Sequence, residues 1–150
     1  MAVLDLFRLE GRRALVTGGS RGLGRSMAQA FAEAGADLVL VGRDADNRAA
    51  ARAELAPLGR RIDILTADLN TPEGAVKLCD EVLAAHAPID ILVNNVGGRR
   101  ENIPTETMPL ETWRQLIDLN LTSAVVCTQR IGGAMLPRRW GRVINIASIC

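Results

Sequence analysis

The sequence predicts an α/β fold, a doubly wound parallel sheet covered by helices in three αβα layers, and three observations support this. Short apolar segments alternate along the chain with longer segments of helical periodicity. The short segments are rich in Val, Ile and Leu without strict polar alternation, which is typical of strands buried on both faces. A glycine-rich turn joins the first strand to the first helix. Five strands and four helices in 150 residues predict a single domain.

The predicted strands and helices alternate without a long linker. The strands cover residues 14–17, 37–41, 62–66, 89–94 and 142–147, and the helices cover residues 22–34, 44–58, 72–85 and 110–136. Capping residues support these boundaries, since Gly35 can end the first helix in a left-handed conformation. Asp44 and Thr71 can accept hydrogen bonds at the starts of the second and third helices. We therefore expect the carboxyl ends of the strands to meet at one edge of the sheet.

The fourth helix is apolar on more than one face. The residues that produce this pattern are Leu116, Ile117, Leu119, Leu121, Ala124, Val125 and Val126. A helix with apolar residues on several sides is buried on several sides. One face is expected to pack on the sheet. The other is expected to contact either a second copy of the chain, in a homo-oligomer such as a dimer or tetramer, or a further part of the same chain.

The composition argues against several classes of function. With 18 basic and 17 acidic residues, the net charge of +1 provides no field for nucleic acid or an anionic membrane. The sequence has no run of 18 apolar residues, and its charged first ten residues do not resemble a signal peptide. Three cysteines without CxxC spacing and one histidine predict neither a disulfide framework nor a metal site. We expect a cytoplasmic protein with free thiols.

The turn after the first strand has the features of a phosphate-binding loop. It reads Thr17-Gly18-x-x-x-Gly22-x-Gly24. Gly18 allows a sharp turn after the strand, Gly22 lets the backbone approach a pyrophosphate, and Gly24 lets the helix pack closely on the strand. The helix N-terminus offers N–H groups and a partial positive charge to the phosphates. This arrangement predicts a dinucleotide cofactor.

The residues after the second strand select the nucleotide. A carboxylate there binds the ribose 2′-hydroxyl group of NAD and repels the extra phosphate of NADP. This sequence has Gly42 and Arg43 instead, and Arg21 can approach the same site. Two guanidinium groups suit a 2′-phosphate, which accepts charge-assisted hydrogen bonds. We therefore predict NADP rather than NAD, with Asp44 acting as a helix cap.

Two further motifs follow predicted strands. Asp68-Leu69 comes after the third strand, where a carboxylate can accept a hydrogen bond from an adenine amino group. Asn94-Asn95-Val96-Gly97 ends the fourth strand. Ligands of parallel sheets bind at the carboxyl ends of the strands, so these motifs and the glycine-rich turn predict one site.

Together these motifs resemble the short-chain dehydrogenase/reductase family in its ordinary, non-extended form, which has a Rossmann-like fold. Asn120, within Asp118-Leu119-Asn120-Leu121, and Ser148, at the end of a segment that begins at Arg142, extend the resemblance. The motifs stand in the family's order from Leu9 onward, and Val96 replaces the usual alanine. Among family members, the chain is similar to 3-oxoacyl reductases and gluconate-type dehydrogenases.

The resemblance implies a cofactor contact for each matching residue. The glycine-rich turn would bind the diphosphate and ribose, and Arg43 would bind the 2′-phosphate. Asp68 and Leu69 would contact the adenine, and Asn95 the ribose on the nicotinamide side. The implied cofactor-binding residues are Thr17, Gly18, Ser20, Arg21, Gly22, Leu23, Gly24, Arg43, Asp68, Leu69, Asn95, Val96 and Gly97.

The chemistry that the resemblance implies is hydride transfer between NADP and a small alcohol or ketone. Ser148 would hydrogen-bond the substrate oxygen, and Asn120 would hold a water molecule in a proton relay. The family's proton donor is a tyrosine, assisted by a nearby lysine, but this sequence has no tyrosine, and its single lysine is Lys77, on the third helix. We therefore expect residues 1–150 to be the N-terminal part of a longer domain and to be inactive alone. A non-catalytic NADP-binding or sensing module is the alternative.

The substrate is constrained only weakly. Residues 98–105 follow the fourth strand and are expected to line part of the substrate pocket. Arg99 and Arg100 in this loop either attract an anionic substrate, such as a sugar acid or a carrier-bound acyl group, or lie in solvent.

Overall fold

Five parallel strands form the central sheet of the protein. The computed structural model describes residues 3–98 and 102–148. The strands are β1 (Arg13–Thr17), β2 (Asp37–Val41), β3 (Ile62–Leu65), β4 (Ile91–Asn94) and β5 (Arg142–Asn145). Their order in the sheet is β3-β2-β1-β4-β5, and every neighbouring pair is parallel. The chain winds in opposite directions from β1, so a crevice for ligand opens between β1 and β4. The predicted doubly wound, Rossmann-like sheet is confirmed.

The helices lie on both faces of this sheet. They are α1 (Gly22–Glu33), α2 (Ala45–Leu55), α3 (Pro72–Ala85), α4 (Leu110–Ile117) and α5 (Ser123–Cys127). Two π-helical turns, Asp118–Thr122 and Thr128–Gly132, continue α4 and α5, so that residues 110–132 form one long helix. Short 3₁₀ helices occur at Val3–Phe7, Ala56–Leu58, Thr105–Thr107 and Leu136–Arg138. Within the described ranges, no helix has the length and apolar character needed to cross a membrane.

Alternate residues of the strands point to opposite faces of the sheet, and each face has its own apolar cluster. Leu15 packs in a cluster that contains Leu78 of α3 and Ile131 of the long helix. Val16 packs on the other side, in a cluster that contains Ala28 of α1 and Leu55 of α2. Both faces of β1 are therefore buried, which explains why its sequence shows no polar alternation.

The long helix packs on the domain through one stripe. Leu119, Ser123, Cys127 and Ile131, spaced four residues apart, are all buried. On the opposite side, the side chains of Leu121 and Val125 are 55% and 45% exposed. The sequence predicted apolar residues on more than one face, and within the described residues one of these faces is covered.

Cys79 of α3 and Cys127 of the long helix are in contact at the centre of this packing. Their Sγ atoms are 3.8 Å apart, and both thiols are free and buried. The hydrogen bond that Cys79 donates to Cys127, together with burial, raises the pKa of the Cys79 thiol far above its ordinary value. Cys79 therefore remains an uncharged thiol at neutral pH and contributes as a small apolar residue.

The amino edge of the sheet, opposite the crevice, is fixed by a buried carboxylate. The Asp90 side chain is 5% exposed, and it accepts hydrogen bonds from the Arg13 backbone N–H at 3.0 Å and from the Arg138 guanidinium at 2.7 Å. Arg12 approaches the same carboxylate at 3.7 Å, and its guanidinium lies 3.7 Å from the centroid of the Trp140 ring. Asp90 thus connects the starts of β1 and β4 to the segment that leads into β5; we call it the amino-edge anchor.

Some predicted boundaries differ from those observed. The strand predicted over residues 89–94 begins at Ile91, and Asp90, the residue before it, forms the amino-edge anchor. The helix predicted over residues 44–58 is α-helical only to Leu55 and ends in a 3₁₀ turn containing Pro57, followed by Gly59 at φ +68°. The helix predicted to reach Leu136 stops earlier, where Gly132, Gly133 and Pro137 disfavour continuation.

The predicted caps are confirmed. Asp44 Oδ1 accepts a hydrogen bond from Asn47 N at 2.7 Å, and Thr71 Oγ1 accepts one from Gly74 N at 3.1 Å. Gly35 follows α1 with φ +107°, a conformation that favours glycine. These three residues fix the C-terminal end of α1 and the starts of α2 and α3.

Candidate functional site

A cavity of about 740 Å³ opens at the carboxyl ends of β1, β2 and β4. This volume lies within the range of small-molecule binding sites, roughly 300 to 1,000 Å³. The cavity occupies the position where the direction of winding changes, as expected for a ligand site in this fold. Of the residues predicted as a site, those that line it are Gly18, Ser20, Arg21, Gly22, Leu23, Gly24, Arg43, Leu69, Asn95, Val96 and Gly97.

The N-terminus of α1 faces this cavity without a capping side chain. The N-cap residue, Arg21, is extended and makes no side-chain hydrogen bond to the first turn. The first turn of α1 also contains no acidic residue. By contrast, side chains cap both α2 and α3. The N–H groups of Gly22, Leu23 and Gly24 are therefore available to an anionic ligand, and the partial positive charge of the helix favours one. These residues fit a phosphate group.

The glycine-rich turn is held against β4 by buried and partly buried polar contacts. Thr17 Oγ1 donates a hydrogen bond to Val93 O at 3.2 Å and accepts hydrogen bonds from Asn95 N and Val96 N at 2.9 and 3.1 Å. Asn95 Nδ2 donates to Thr17 O at 3.0 Å. Thr17 is buried and does not line the cavity, so its contacts give it a role in positioning the turn.

Close packing also explains the glycine at position 24. A Cβ atom at this position would lie 2.1 Å from Gly18 O and 2.6 Å from Asn95 Nδ2. Position 22 has φ +52°, and a Cβ atom there would meet no atom within 4 Å. Gly24 therefore permits the helix to approach the strand, whereas Gly22 provides the positive φ angle and an open surface toward the cavity.

The charged residues near the cavity come from two loops. Arg21 and Arg43 both line it, together with Asp44. Arg43 Nη1 lies 3.8 Å from Asp68 Oδ1, and both side chains are more than half exposed. Asp44 Oδ1 caps α2, as predicted. The two arginines predicted to converge on one site thus line the same cavity, and one of them is paired with a carboxylate.

Asp68 makes local contacts. Its Oδ1 accepts hydrogen bonds from Asn70 N at 3.1 Å and from Asn70 Nδ2 at 2.5 Å. Among the described residues that line the cavity are its neighbours Ala67 and Leu69, but Asp68 itself is not one of them. The carboxylate stabilises the turn after β3 and forms an exposed ion pair with Arg43 beside the cavity.

Asn120 lies in the first π-helical turn and holds the loop after β4. Its Oδ1 accepts a hydrogen bond from Gly98 N at 2.9 Å, and its Nδ2 donates to Gly98 O at 3.2 Å and to Leu116 O at 2.9 Å. π-Helical turns inside longer helices are frequent at functional sites. The side-chain amide of Asn120 thus positions Gly97 and Gly98 at the edge of the cavity.

Ser148 lies three residues beyond β5, at the same edge of the sheet. The register pairs Asn94 with Asn145, and Ile146 N donates to Asn94 O at 2.9 Å, so the carboxyl ends of β4 and β5 are level. Ser148 is exposed and does not line the cavity. Arg99 and Arg100, the predicted substrate-loop arginines, lie outside the described residues.

The cavity has lining residues that were not predicted as site residues. Val41 ends β2 and Gly42 follows it, Asn47 comes from the first turn of α2, Ala67 from the turn after β3, and Leu119 from the long helix. Ala67 and Leu119 directly precede Asp68 and Asn120, which were predicted as site residues. The sequence therefore indicated these two positions indirectly. Asn47 reaches the cavity because Asp44 starts α2 at its rim.

Comparisons with known proteins agree with this architecture. The family model of short chain dehydrogenases matches residues 12–150. Gluconate 5-dehydrogenase of Gluconobacter oxydans is 34% identical over 145 residues, covering 97% of this chain and 56% of that protein. The 3-oxoacyl-(acyl-carrier-protein) reductase of Aquifex aeolicus is 34% identical over 143 residues, covering 95% of this chain and 57% of that protein.

A solved structure shows the same fold with a nucleotide. The 3-oxoacyl (acyl-carrier-protein) reductase of Agrobacterium tumefaciens, crystallised with NADP bound, has a TM-score of 0.90 and 34% sequence identity. The similarity covers 99% of this chain and 57% of that one. The chain thus spans little more than half the length of the proteins that it matches.

Proposed function

Since the chain belongs to the short-chain dehydrogenase family, we propose that it is part of an NADP-dependent oxidoreductase that interconverts an alcohol and a carbonyl compound. The observation that carries this proposal is the uncapped N-terminus of α1, which faces a cavity of about 740 Å³ beside Arg21 and Arg43. A related reductase of the same fold is crystallised with NADP, which supports this choice of nucleotide.

Residues of the cavity have the chemistry to hold the nucleotide. The backbone N–H groups of Gly22, Leu23 and Gly24 would bind the diphosphate. The guanidinium groups of Arg21 and Arg43 would bind the 2′-phosphate through charge-assisted hydrogen bonds. Bound NADP supplies the hydride acceptor, or in its reduced form the hydride donor.

The remaining chemistry is proton transfer at the substrate oxygen. We assign Ser148 to the hydrogen bond with this oxygen and Asn120 to the water of a proton relay, as the family resemblance implies. Proton transfer by a positioned side chain accelerates such reactions by roughly a hundredfold to ten-thousandfold. The sequence contains no tyrosine to provide it. Residues 1–150 are therefore proposed to bind NADP without turning over substrate by themselves.

The proposal extends to substrate, assembly and location. The relatives point to a small alcohol or ketone, such as a sugar acid or an oxoacyl thioester.

The exposed apolar side chains of Leu121 and Val125 support a homo-oligomer formed partly through the long helix. Free thiols at Cys79 and Cys127 are consistent with a reducing compartment, and we propose the cytoplasm.

The proposal is tested on the full-length gene product. Its intact mass is determined first, and NADPH and NADH are then titrated by isothermal calorimetry. We expect tighter binding of NADPH than of NADH, and NADPH oxidation with at least one oxoacyl thioester or keto-sugar acid. A protein that binds NADPH but reduces none of these compounds would favour the sensing module. A protein that binds neither NADPH nor NADH would contradict the proposal.

A serine variant separates binding from chemistry. Ser148→Ala is expected to lower kcat by about a hundredfold or more, the scale for removal of one hydrogen bond to a reacting oxygen. The Kd for NADPH should not change. Ser26→Ala provides the control, because the exposed Ser26 hydroxyl donates only to Gly22 O within α1. An unchanged kcat in Ser148→Ala would remove Ser148 from the mechanism.

A further inference from the structure

Gly42 lies directly after β2, at the wall of the cavity, and has no room for a side chain. A Cβ atom there would lie 2.3 Å from Ser20 Oγ, 2.8 Å from Ser20 Cβ and 3.3 Å from Arg48 Cγ. The backbone of Gly42 is outside the left-handed region, so its conformation alone does not require glycine. The side chain of Ser20 is therefore what excludes a larger residue at position 42.

Backbone hydrogen bonds keep Ser20 and Gly42 close together. Gly19 N donates a hydrogen bond to Val41 O at 3.1 Å, which ties the glycine-rich turn to the end of β2. Gly42 N donates to Leu65 O at 3.1 Å, which ties the same point to β3. Ser20 is buried, and rotation of its hydroxyl would leave the contact with its Cβ unchanged.

We propose that Ser20 is a specificity-determining residue, which maintains NADP preference by keeping position 42 free of a carboxylate. This inference rests on the proposed function. A carboxylate at this point of the fold accepts a hydrogen bond from the ribose 2′-hydroxyl group of NAD and repels a 2′-phosphate. The Ser20 side chain fills the space in which such a carboxylate would begin. Nucleotide preference thus depends on positions 20 and 42 jointly.

The geometry predicts a graded effect of substitutions at position 20. Ser20→Ala removes the oxygen that lies 2.3 Å from the added Cβ but leaves the carbon at 2.8 Å. Ser20→Gly removes both atoms. A carboxylate at position 42 should therefore be accommodated poorly with serine at position 20, partly with alanine and best with glycine.

The experiment is a double-mutant cycle in the full-length protein. We compare the Kd for NADPH, the Kd for NADH and the Tm of wild type with those of three variants. These are Gly42→Asp, Ser20→Gly and the combined variant. Gly42→Asp alone should lower the Tm and weaken both nucleotides. The combined variant should recover Tm and bind NADH at least about tenfold more tightly than Gly42→Asp, since the effects of substituting two residues in contact are not additive. Ala45→Asp, at the exposed first position of α2, controls for the added charge.

The possible outcomes separate this inference from the proposed function. Two outcomes would contradict the inference while the proposed function stands, provided that wild type binds NADPH. In the first, the effects of the two substitutions on Kd and Tm are additive. In the second, Gly42→Asp alone changes the preference to NADH without loss of Tm. If wild type binds neither nucleotide, the proposed function fails and the inference fails with it. Recovery of both Tm and NADH affinity in the combined variant, and not in Ala45→Asp, supports the inference.

Discussion

Arg43 and Asp68 form an exposed ion pair at the rim of the cavity. Their closest atoms are 3.8 Å apart, and the side chains are 63% and 60% exposed. Exposed ion pairs contribute about 0 to 1 kcal/mol, because water and salt screen them. Arg43 can therefore exchange Asp68 for a phosphate at little cost, and the phosphate accepts stronger, charge-assisted hydrogen bonds.

Arg43→Asp is the residue-scale prediction that follows. The substitution replaces a cation with an anion beside Asp44 and Asp68, so it should raise the Kd for NADPH at least about tenfold, which corresponds to about 1.4 kcal/mol. The Kd for NADH should change less, because NADH lacks the 2′-phosphate. Fluorescence titration measures both values in the full-length protein.

The matched control is Arg114→Asp, which reverses an exposed arginine on α4 that does not line the cavity. It should leave both Kd values unchanged. An unchanged NADPH affinity in Arg43→Asp would show that the 2′-phosphate is bound elsewhere.

Individual residues were predictable where the chemistry is local. The glycine-rich turn and Arg43 stood out because their residue types follow strand ends, and the structure places them on the cavity. The positioning contacts of Thr17 and Asn120 were not predictable, because each depends on partners more than 20 residues away in the chain. The steric relation of Ser20 to Gly42 is likewise a tertiary contact, and sequence reasoning gave Gly42 only a permissive role.

At the scale of helices and strands, α3 shows how one side chain defines a boundary. Thr71 is extended, its Oγ1 accepts a hydrogen bond from Gly74 N, and Pro72 occupies the first helical position. The proline has no N–H group that needs a partner there, and Glu73 favours the positive end of the helix. Three consecutive residues thus specify where α3 begins.

Thr71→Ala should lower the free energy of unfolding by about 1 kcal/mol, the usual cost of losing an N-cap hydrogen bond. Urea denaturation of the full-length protein measures the change. Thr71→Ser keeps a hydroxyl in the same place and is expected to restore nearly all of the stability. Equal losses in the alanine and serine variants would assign the effect to the threonine methyl group instead of the cap.

Element type was predictable throughout the sheet and the first three helices, whereas element ends depended on tertiary contacts. The capping residues Asp44 and Thr71 marked helix starts correctly. The predicted start of β4 is two residues too early, because apolar Ile89 continues the strand pattern in the sequence. The π-helical turns of the long helix have no local signal in the sequence, since their residues follow ordinary helical periodicity.

At the scale of the whole molecule, the two edges of the sheet are built differently. The carboxyl edge carries the cavity, whose walls are glycine-rich and are held by side-chain hydrogen bonds of Thr17 and Asn120 as well as by backbone hydrogen bonds. The amino edge is held by the amino-edge anchor, in which a buried carboxylate meets Arg13 N and the guanidinium group of Arg138. Arg142 N also donates to Asp90 O at 3.0 Å, which joins β5 to the same point.

Asp90→Asn should lower the free energy of unfolding by about 2 kcal/mol, because a hydrogen bond to a charged group contributes roughly 1.5 to 3 kcal/mol. The amide keeps the size of the side chain but removes the charge that faces Arg12 and Arg138. Asp46→Asn, in the exposed first turn of α2, is the control and should cost less than about 1 kcal/mol. Urea denaturation compares the two variants. If Asp90→Asn and Asp46→Asn lowered the free energy of unfolding equally, the buried charge of Asp90 would contribute no more than an exposed charge.

The amino-edge anchor also has a consequence for how this fold can diversify. Since strand register is fixed at the edge remote from the ligand, the loops at the opposite edge can be lengthened, shortened or recoded while the strands remain in place. Substitutions that change which ligand the cavity binds are therefore expected to accumulate at its mouth, whereas substitutions at Asp90 are expected to be removed by selection. The separation of these two edges lets the residues around the cavity change while the sheet keeps its register.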